Sequence, residues 1–550
     1  MLPQSGLTAT SARVPVDIRR FPWIKRLAAD HAHEFSRVAE FFAGDSSAPQ
    51  AWGPAIERAQ RHPRQRDALV AVLQAQQRRR GAPPESVAAA AQLRDPQSVA
   101  IVTGQQAALF GGPMYVLLKA ITAIQLAERL RAEHRVPVVP IFWVEAEDHD
   151  WAEVKSCGVL DGDLNVRTIA AGDPPGAGEL AVARVRLDES IAPALAELEG
   201  TLPASEFTNE LMSSLRRCYT PGAGMADAFA TWIEGLLGPT GLIVYDASDP
   251  AAKPLAADLF AREVEHPGRT ARLAAETGRA LEARGYHAQV SPQSDSVALF
   301  HLNAGREAIR YEAGQFIVGD RHMSGGELAA QIRRAPQDFS PNVLLRPLVQ
   351  DTLFPTACYV AGPNELAYLS QLSAVYRAFD LPQPLIHQRA TATLVDANAM
   401  RFLTRHDVSI ESLRAQDEAM LNDLLAAQLP PSVEASMQDA MRAVGERMAS
   451  LAGEVPQIDP TLEGATRSTL GRMQDDLKKL HGKIIQAAKR KDDTLRRQYH
   501  HARGQAFPAG QPQERELGFV HFLNKYGPSL IERLRDELPT DQGVHWVLTV

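Results

Sequence analysis

Three features of the 550-residue sequence predict an α/β protein with a parallel-sheet core, added antiparallel hairpins and an inserted α-helical arm. Short apolar strands alternate with amphipathic helices, the pattern of βαβ units. Residues 285–325 switch to strand alternation punctuated by turn residues. After about residue 398 the chain becomes polar and helical over long stretches. A chain of this length is expected to form several structural units. The sequence divides them as a helical part of the core (1–95), the main core (96–398), a helical coiled-coil domain (399–505) and a C-terminal return to the core (506–550).

In the first unit, "WIKRLAADHAHEFSRVAEFF" and "RDALVAVLQAQQRRRG" carry apolar residues at helical spacing. "GDSSAPQAWGP" and "GAPPES" break them. "SVAIVTG" (98–104) then reads as a buried strand, followed by a Gln- and Gly-rich loop. "MYVLLKAITAIQLAERLRAEH" reads as a helix with Leu117, Ile121, Ile124 and Leu130 near one face and Pro113 at its start. "VPVVPIFWV" is the next strand, and "GLIVYDASDP" (241–250) another, ending in Asp246 and Asp249. "YHAQV", "VALFHLN" and "EAIRYEAGQFIVGD" predict hairpins. "TACYVAGPNELAYLSQL" (356–372) is again strand, Gly-Pro loop and helix, and "QPLIHQRATATLV" reads as a last strand.

The arm is expected to be two helices joined by a turn. Its second helix, 459–504, places Leu470, Met473, Leu477, Leu480, Ile484 and Ala487 at alternating steps of three and four, the a/d spacing of a coiled coil. Asp475 and Lys479 stand at a favourable i,i+4 spacing. This helix holds 11 Lys and Arg against 6 Asp and Glu; a solvated basic face is the first reading of that, a phosphate-bearing partner the second.

Bulk properties exclude several classes. Composition is that of a soluble globular protein, 45% hydrophobic and 23% charged. A net charge of −8 argues against a nucleic-acid-binding protein, which normally needs a basic face. No apolar run reaches the roughly 20 residues of a membrane span. The first residues, "MLPQSGLTATSARVPVDIRRF", lack the basic and apolar regions of a signal peptide. Cys157, Cys218 and Cys358 are far apart, in no zinc-ligand or activating motif, which suits a reducing cytoplasm. There is no GxSxG nucleophile motif.

Four stretches carry candidate chemistry. "TGQQAALFGGP" brings Thr103, Gly104, Gln105, Gln106, Gly111 and Gly112 between a strand and a helix, where backbone N–H groups can meet an anion. It is neither a Walker A nor a GxGxxG motif, and a tight turn needing glycine explains it equally well. The carboxamides of Gln105 and Gln106 suit an amide, a carboxylate or a sugar hydroxyl. "VEAEDHD" places Glu145, Glu147, Asp148, His149 and Asp150 at the carboxyl end of an apolar strand, where open α/β sheets bind ligands. Were the strand to continue, Glu145, Glu147 and His149 would share one face. A His beside carboxylates can act as general acid or base; the same set can hold Mg²⁺, or be a solvated acidic exit from the sheet. Arg346 stands in the apolar "NVLLRPLVQDTLFP", set to bind a substrate carboxylate or phosphate or to pair with Asp351. "AGPNELAY" places Asn364 and Glu365 between strand and helix, Asn364 as a possible N-cap.

Taken together, "VTGQQAALFGGPMYVLLKAITAIQLAERL", "PVVPIFWVEAEDHDWAEV", "LLRPLVQDTLFPTACYVAGPNELAYLSQL" and "FLNKYGP" resemble the cysteine ligases of bacillithiol biosynthesis, over nearly the whole chain. The resemblance is weakest before residue 95 and in the helical arm. It implies a Rossmann-like core, connecting elements and a coiled-coil domain through which subunits form a homodimer. It also implies a reaction, joining the cysteine carboxyl to the amine of glucosaminyl-malate, the last step of bacillithiol biosynthesis. Amide formation from a free carboxylate is uphill in water, so ATP is the expected activator, with Mg²⁺ a further candidate. Neither is tied to a sequence fingerprint, and no residues are assigned to a metal. His149, with Asp148, Asp150 and Glu147, is the candidate proton-handling group. Arg346 or Lys119 are candidates to neutralise substrate carboxylates. Two other readings stand beside this one: a nucleotide-dependent transferase on the same core, and a non-catalytic scaffold whose arm is the working part.

Overall fold

Long apolar runs that carry no polar alternation belong in a sheet covered on both faces, and the computed structural model builds such a sheet. It describes residues 13–293, 295–303, 305–415, 417–427, 431–491 and 493–550; the leader-free reading of residues 1–12 lies outside them. Five strands, Val99–Gln106 (β1), Val138–Glu145 (β2), Ile243–Asp246 (β3), Thr356–Ala361 (β4) and Leu385–Gln388 (β5), pair in parallel in the order β5-β4-β1-β2-β3. The chain moves outward from β1 to β3, then returns to the other side of β1 for β4 and β5. That is the Rossmann strand order, and the reversal between β1 and β4 is a topological switch point.

Alternate residues of each strand enter two cores. Val99, Ile101, Val138, Cys358, Val360 and Leu385 pack with Leu126 and Leu130 of the helix Met114–His134. Ala100, Val102, Val139, Ile141, Trp143, Tyr359 and Ile386 join the larger core on the opposite face. Leu117, Ile121, Ile124 and Leu130 are all buried, as the spacing predicts. Pro140 has no N–H to give a ladder, yet it lies in an internal strand. The short β3 pairs with β2 only from Ile141 onward, so Pro140 has a single neighbouring strand.

The sequence places Gln105 and Gln106 in a loop; the strand runs on through both. It allows a strand through "EAEDHD"; β2 stops at Glu145. Of the predicted hairpin segments "YHAQV" is not a strand; the others, joined by Phe339–Pro341, form a five-stranded antiparallel sheet of Ser296–Leu302, Arg306–Glu312, Gln315–Val318, Arg321–Met323 and Phe339–Pro341. Ala313 and Gly314, both at positive φ (50° and 83°), make one of its two-residue turns. Ser156–Leu160 and Val166–Ala170 form a separate hairpin. "QPLIHQRATATLV" is two strands, not one: β5 and Thr391–Val395 belong to different sheets. Between them Arg389 is buried against Glu514, with Nη2 2.6 Å from Oε1. Nor is it the last strand, because Val544–Thr549 follows and pairs antiparallel with Arg13–Asp17.

The chain divides into one unit of Met1–Thr393 with Pro512–Leu548 and another of Leu394–Gln511 with Thr549–Val550. In the second, Pro431–Glu454 and Leu462–Lys491 form a helical hairpin closed by a short turn at Val455–Gln457. His481 Nε2 lies 3.0 Å from Glu434, joining the far ends of the two helices. Within the expected helix 459–504, Leu462–Lys491 and the start of Asp493–Ala506 are helical, and residue 492 lies outside the described residues. The expected Asp475–Lys479 pair is replaced by i,i+3 pairs, Lys479 with Asp476 at 3.0 Å and Lys478 with Asp475 at 3.9 Å. Of the heptad residues, Leu470, Leu477 and Ile484 are half-buried, whereas Met473 and Leu480 are 40% and 49% exposed.

Candidate active site

A cavity of about 240 Å³ opens at the switch point, beyond the carboxyl ends of β1, β2 and β4. Gly104, Gln105 and Gln106 bring β1 to it; Trp143 and Glu145 bring β2; Tyr359 and Glu365 stand at the end of β4. Gly104 is required by close packing, since a Cβ there would lie 2.8 Å from the Trp143 carbonyl oxygen. Thr103 lies deeper and fully buried, its hydroxyl donating to the Val360 carbonyl at 2.9 Å. It ties β1 to β4 and does not line the cavity.

Beneath the cavity lies a buried cation. Lys119, from the helix after β1, donates to the Gly104 carbonyl at 2.8 Å and the Gln105 carboxamide oxygen at 3.0 Å, and pairs with Glu365. Glu365 also accepts from the Gly362 N–H at 2.6 Å and the Tyr359 hydroxyl at 3.0 Å. Burial pushes the Glu365 carboxyl up, but Lys119 and the Gly362 N–H outweigh it and hold the group below its ordinary range. Burial also draws the Lys119 ammonium down. Asn364, beside Glu365, is exposed and outside the cavity lining, and it is not the cap of the following helix.

Arg346 begins the helix Arg346–Leu353, with Pro347 at its first turn. It does not pair with Asp351, which instead accepts from the Tyr376 hydroxyl and the Gln350 amide. Its Nη1 donates to Gln350 Oε1 at 3.2 Å, and the guanidinium lies over the Trp143 and Tyr359 rings, 5.7 and 5.6 Å from their centroids. Burial opposes its charge, but Tyr368, Tyr359, Glu145 and Glu365 around it raise its pKa above the ordinary value. Its buried Nη2 has no hydrogen-bond partner among the described residues. A buried, charged donor without a partner is costly unless a ligand supplies one.

The acidic stretch is divided by the fold. Glu145 lines the cavity, its carboxylate accepting from Trp143 Nε1 at 3.1 Å and the Glu147 N–H at 3.2 Å. Asp148 lines it too, accepting from Gln106 Nε2 at 3.4 Å and Arg306 Nη1 at 3.2 Å. His149 is 55% exposed, with Nδ1 3.3 Å from Asp148 Oδ1, and does not line the cavity. Glu147 is buried in an ion pair with Lys253. Its carboxyl is pushed up to about 7, chiefly by burial and against the pull of Lys253. Asp150 caps the short helix Trp151–Val154, accepting from the Glu153 N–H at 3.1 Å.

Gly111 and Gly112 stand apart. Their φ angles are +88° and +80°, and a Cβ on Gly111 would lie 2.4 Å from both Phe519 and Trp232, which stack with centroids 5.0 Å apart. The Gly111 and Gly112 N–H groups bond to Ala108 and Leu109, and Met114 N–H to Leu517. These N–H groups are therefore taken up within the protein rather than offered to an anion, and the two glycines serve close packing.

Arg306 is the residue that sequence reading missed. It comes from the antiparallel sheet, where nothing in the local pattern distinguishes it. It lies with its guanidinium 4.0 Å from the Phe300 ring centroid and donates to the Pro341 carbonyl at 3.0 Å as well as to Asp148. Tyr359 and Tyr368 also line the cavity; both lie within the "CYVAGPNELAY" stretch, whose aromatic content was the available signal.

A parallel sheet of Rossmann order with a charged cavity at its switch point defines a Rossmann-like domain with its candidate site where such sheets hold ligands. The chain belongs to the bacillithiol biosynthesis BshC family: residues 15–390 match its N-terminal Rossmann-like domain and residues 392–550 its C-terminal coiled-coil domain. It is 35% identical over 556 residues to a protein of Salinibacter ruber, covering all of both chains. It is 32% identical over 527 residues to one of Koribacter versatilis, covering 96% of this chain and 97% of that one. It is also 32% identical over 487 residues to one of Chlorobaculum tepidum, covering 85% and 86%. Each of these relatives bears the name "Putative cysteine ligase BshC". Among the described residues no helix is long and apolar enough to cross a membrane.

Proposed function

We propose that this chain is a cytoplasmic cysteine ligase that joins the cysteine carboxyl to the amine of glucosaminyl-malate, completing bacillithiol. Membership of the BshC family supports the reaction class. The observation that carries the site is the unpartnered Arg346 guanidinium nitrogen in a cavity that also holds the Arg306–Asp148 pair. Two guanidinium groups suit a carboxylate or phosphate by charge, and Arg346 Nη2 is a donor open to one.

ATP is the proposed activator. The covered glycine loop does not suit its phosphates, whereas Arg306 and Arg346 do by charge, Arg346 with Nη2 open to an acceptor. When bound, ATP supplies the group that makes a carboxylate oxygen leave. Mg²⁺ accompanying those phosphates needs only one or two protein carboxylates, for which Glu145 lines the cavity. The chain's own residues do the rest. Arg346 orients the carboxylate. The C–N bond forms as the amine nitrogen attacks the carboxyl carbon and the C–O bond to the leaving oxygen breaks. The nitrogen's proton passes to Asp148 and then to His149, 3.3 Å away at the surface, and so to water. Asp150, as helix cap, and Glu147, through Lys253, fix the turn that carries both groups.

The coiled-coil hairpin is proposed to join two copies of the chain, supported by the exposed Met473 and Leu480 and by Ile458, 83% exposed at the hairpin turn.

The test is direct. Purified protein incubated with cysteine, glucosaminyl-malate, ATP and Mg²⁺ should yield a product with the mass of bacillithiol. Folded protein that gives no product with any nucleoside triphosphate refutes the reading.

A further inference from the structure

Gln105 and Gln106 line two cavities. One is the arginine-bearing cavity at the switch point. The other, of about 250 Å³, is bounded by the start of the helix Met114–His134, the hairpin Ser156–Leu160/Val166–Ala170 and the C-terminal segment at Arg515–Gly518. Each volume falls just below the range that holds drug-sized ligands, the size of a sugar ring or an amino acid.

The second cavity has the opposite chemistry to the first. It carries two carboxylates, Glu153 and Glu516, and the hydroxyls of Tyr115, Ser156 and Thr168. Arg515 is its one cation. Burial raises the Glu516 carboxyl above its ordinary pKa, and no ion pair or hydrogen bond to that carboxylate is present among the described residues. The walls are built closely: a Cβ on Gly158 would lie 2.3 Å from the Glu516 carbonyl oxygen, and one on Gly518 would lie 2.2 Å from Cys157 Sγ. The Cys157 thiol is pushed up to about 12 by burial, so it stays protonated and is no nucleophile.

We infer that the second cavity is the subsite for the amine-bearing sugar, with Glu516 and Glu153 receiving its ammonium and hydroxyl hydrogens and the Gln105–Gln106 pair dividing it from the carboxylate subsite. This rests on the ligase reading. Carboxylates and hydroxyls match a polyol that carries an ammonium group, as guanidinium groups match a carboxylate. A condensation of two substrates requires their reacting atoms to be held side by side; Gln106 lines both cavities and its Nε2 lies 3.4 Å from Asp148, so the sugar's nitrogen, released from Glu516, meets its proton acceptor and the carboxylate at that edge.

Free glucosamine is the probe, titrated calorimetrically into the full chain. Saturable binding is expected, with glucose at least tenfold weaker because it lacks the ammonium. Glu516→Gln should weaken glucosamine binding at least tenfold. Thr168→Trp, on an exposed strand position, should abolish it by filling the cavity. Arg346→Met, in the other cavity, should leave it unchanged. No saturable glucosamine binding, or binding that ignores Glu516→Gln and Thr168→Trp but is lost in Arg346→Met, overturns the assignment. The two readings fail separately. Product formation with an unchanged KM for the amino-sugar substrate in Glu516→Gln refutes the subsite and leaves the ligase. Specific glucosamine binding without product refutes the ligase and leaves an amino-sugar site.

Discussion

The Lys119 ammonium donates to the Gln105 carboxamide oxygen at 3.0 Å. Because the same ammonium is paired with Glu365, one buried cation links the ends of β1 and β4 across the switch point and sets which way the Gln105 amide points.

Lys119→Met removes that link and leaves Glu365 buried without its cation. Urea unfolding should show a loss of roughly 3–5 kcal/mol, the usual cost of breaking one side of a buried pair. Lys119→Met combined with Glu365→Gln should be less destabilised than Lys119→Met alone. Equal or greater loss in the double variant would mean that the pair is not what holds this corner.

Asp148 and His149 are neighbours in sequence but differ in exposure, and their variants should differ too. Asp148→Asn should lower kcat at least 100-fold, within the range of lost acid–base catalysis. His149→Ala should lower it about tenfold, with recovery in imidazole buffer that supplies an outside proton carrier. Asp148→Asn with near-normal kcat would move the proton step to Glu145.

Gly111→Ala distinguishes a packing glycine from a phosphate loop. Its Cβ would meet Phe519 and Trp232 at 2.4 Å, on a backbone at φ +88°. Overpacking and the left-handed angle together should destabilise the protein by about 3 kcal/mol, with ATP affinity of the folded protein unchanged. Weakened ATP binding at full stability would restore the loop as an anion site.

Met473→Glu with Leu480→Glu places charge on the exposed side of the coiled-coil hairpin. Light scattering should then report the mass of one chain where the parent reports two, with helical content retained. A parent protein that is monomeric at high concentration contradicts the dimer.

Four buried histidines contribute to the loss of stability in acid, beside carboxylates such as Asp17 and Glu514 that are held below their ordinary range. His31 and His521 are lowered to about 3, and His387 and His545 to about 4, in each case first by burial. The unfolded chain protonates them near 6.5, so below that pH it binds more protons than the folded chain does. The stability they allow is complete above 6.5 and falls as pH drops toward 3–4. Glu147 and Glu263, both raised to about 7 chiefly by burial, work the other way between 7 and 4.5. Four groups against two predicts a net loss that steepens below 4.5. His521 Nδ1 has no hydrogen-bond partner among the described residues. His521→Phe should therefore flatten the stability profile by about 1.4 kcal/mol per pH unit over this window. An unchanged slope in urea titrations across pH would exclude His521.

The sequence by itself determined strands at about residues 98–104 and 136–144, the helix between them, most of the hairpins and the arm. Apolar periodicity, Pro113 and the breaker residues act over a few positions, so they are readable locally. It also led to the right end of the sheet, since charge collected after a buried strand marks a carboxyl edge. Only the tertiary structure decided which charges share a cavity. β2 stops at Glu145, so the two-residue alternation that would have grouped Glu145, Glu147 and His149 does not continue. Glu147 turns inward to Lys253, and Asp148 meets Arg306 from another sheet, 158 residues along the chain. Gly111 looked like part of an anion loop until Phe519, far downstream, closed over it. Each of these outcomes is a contact between distant segments, and no local pattern carries such a contact.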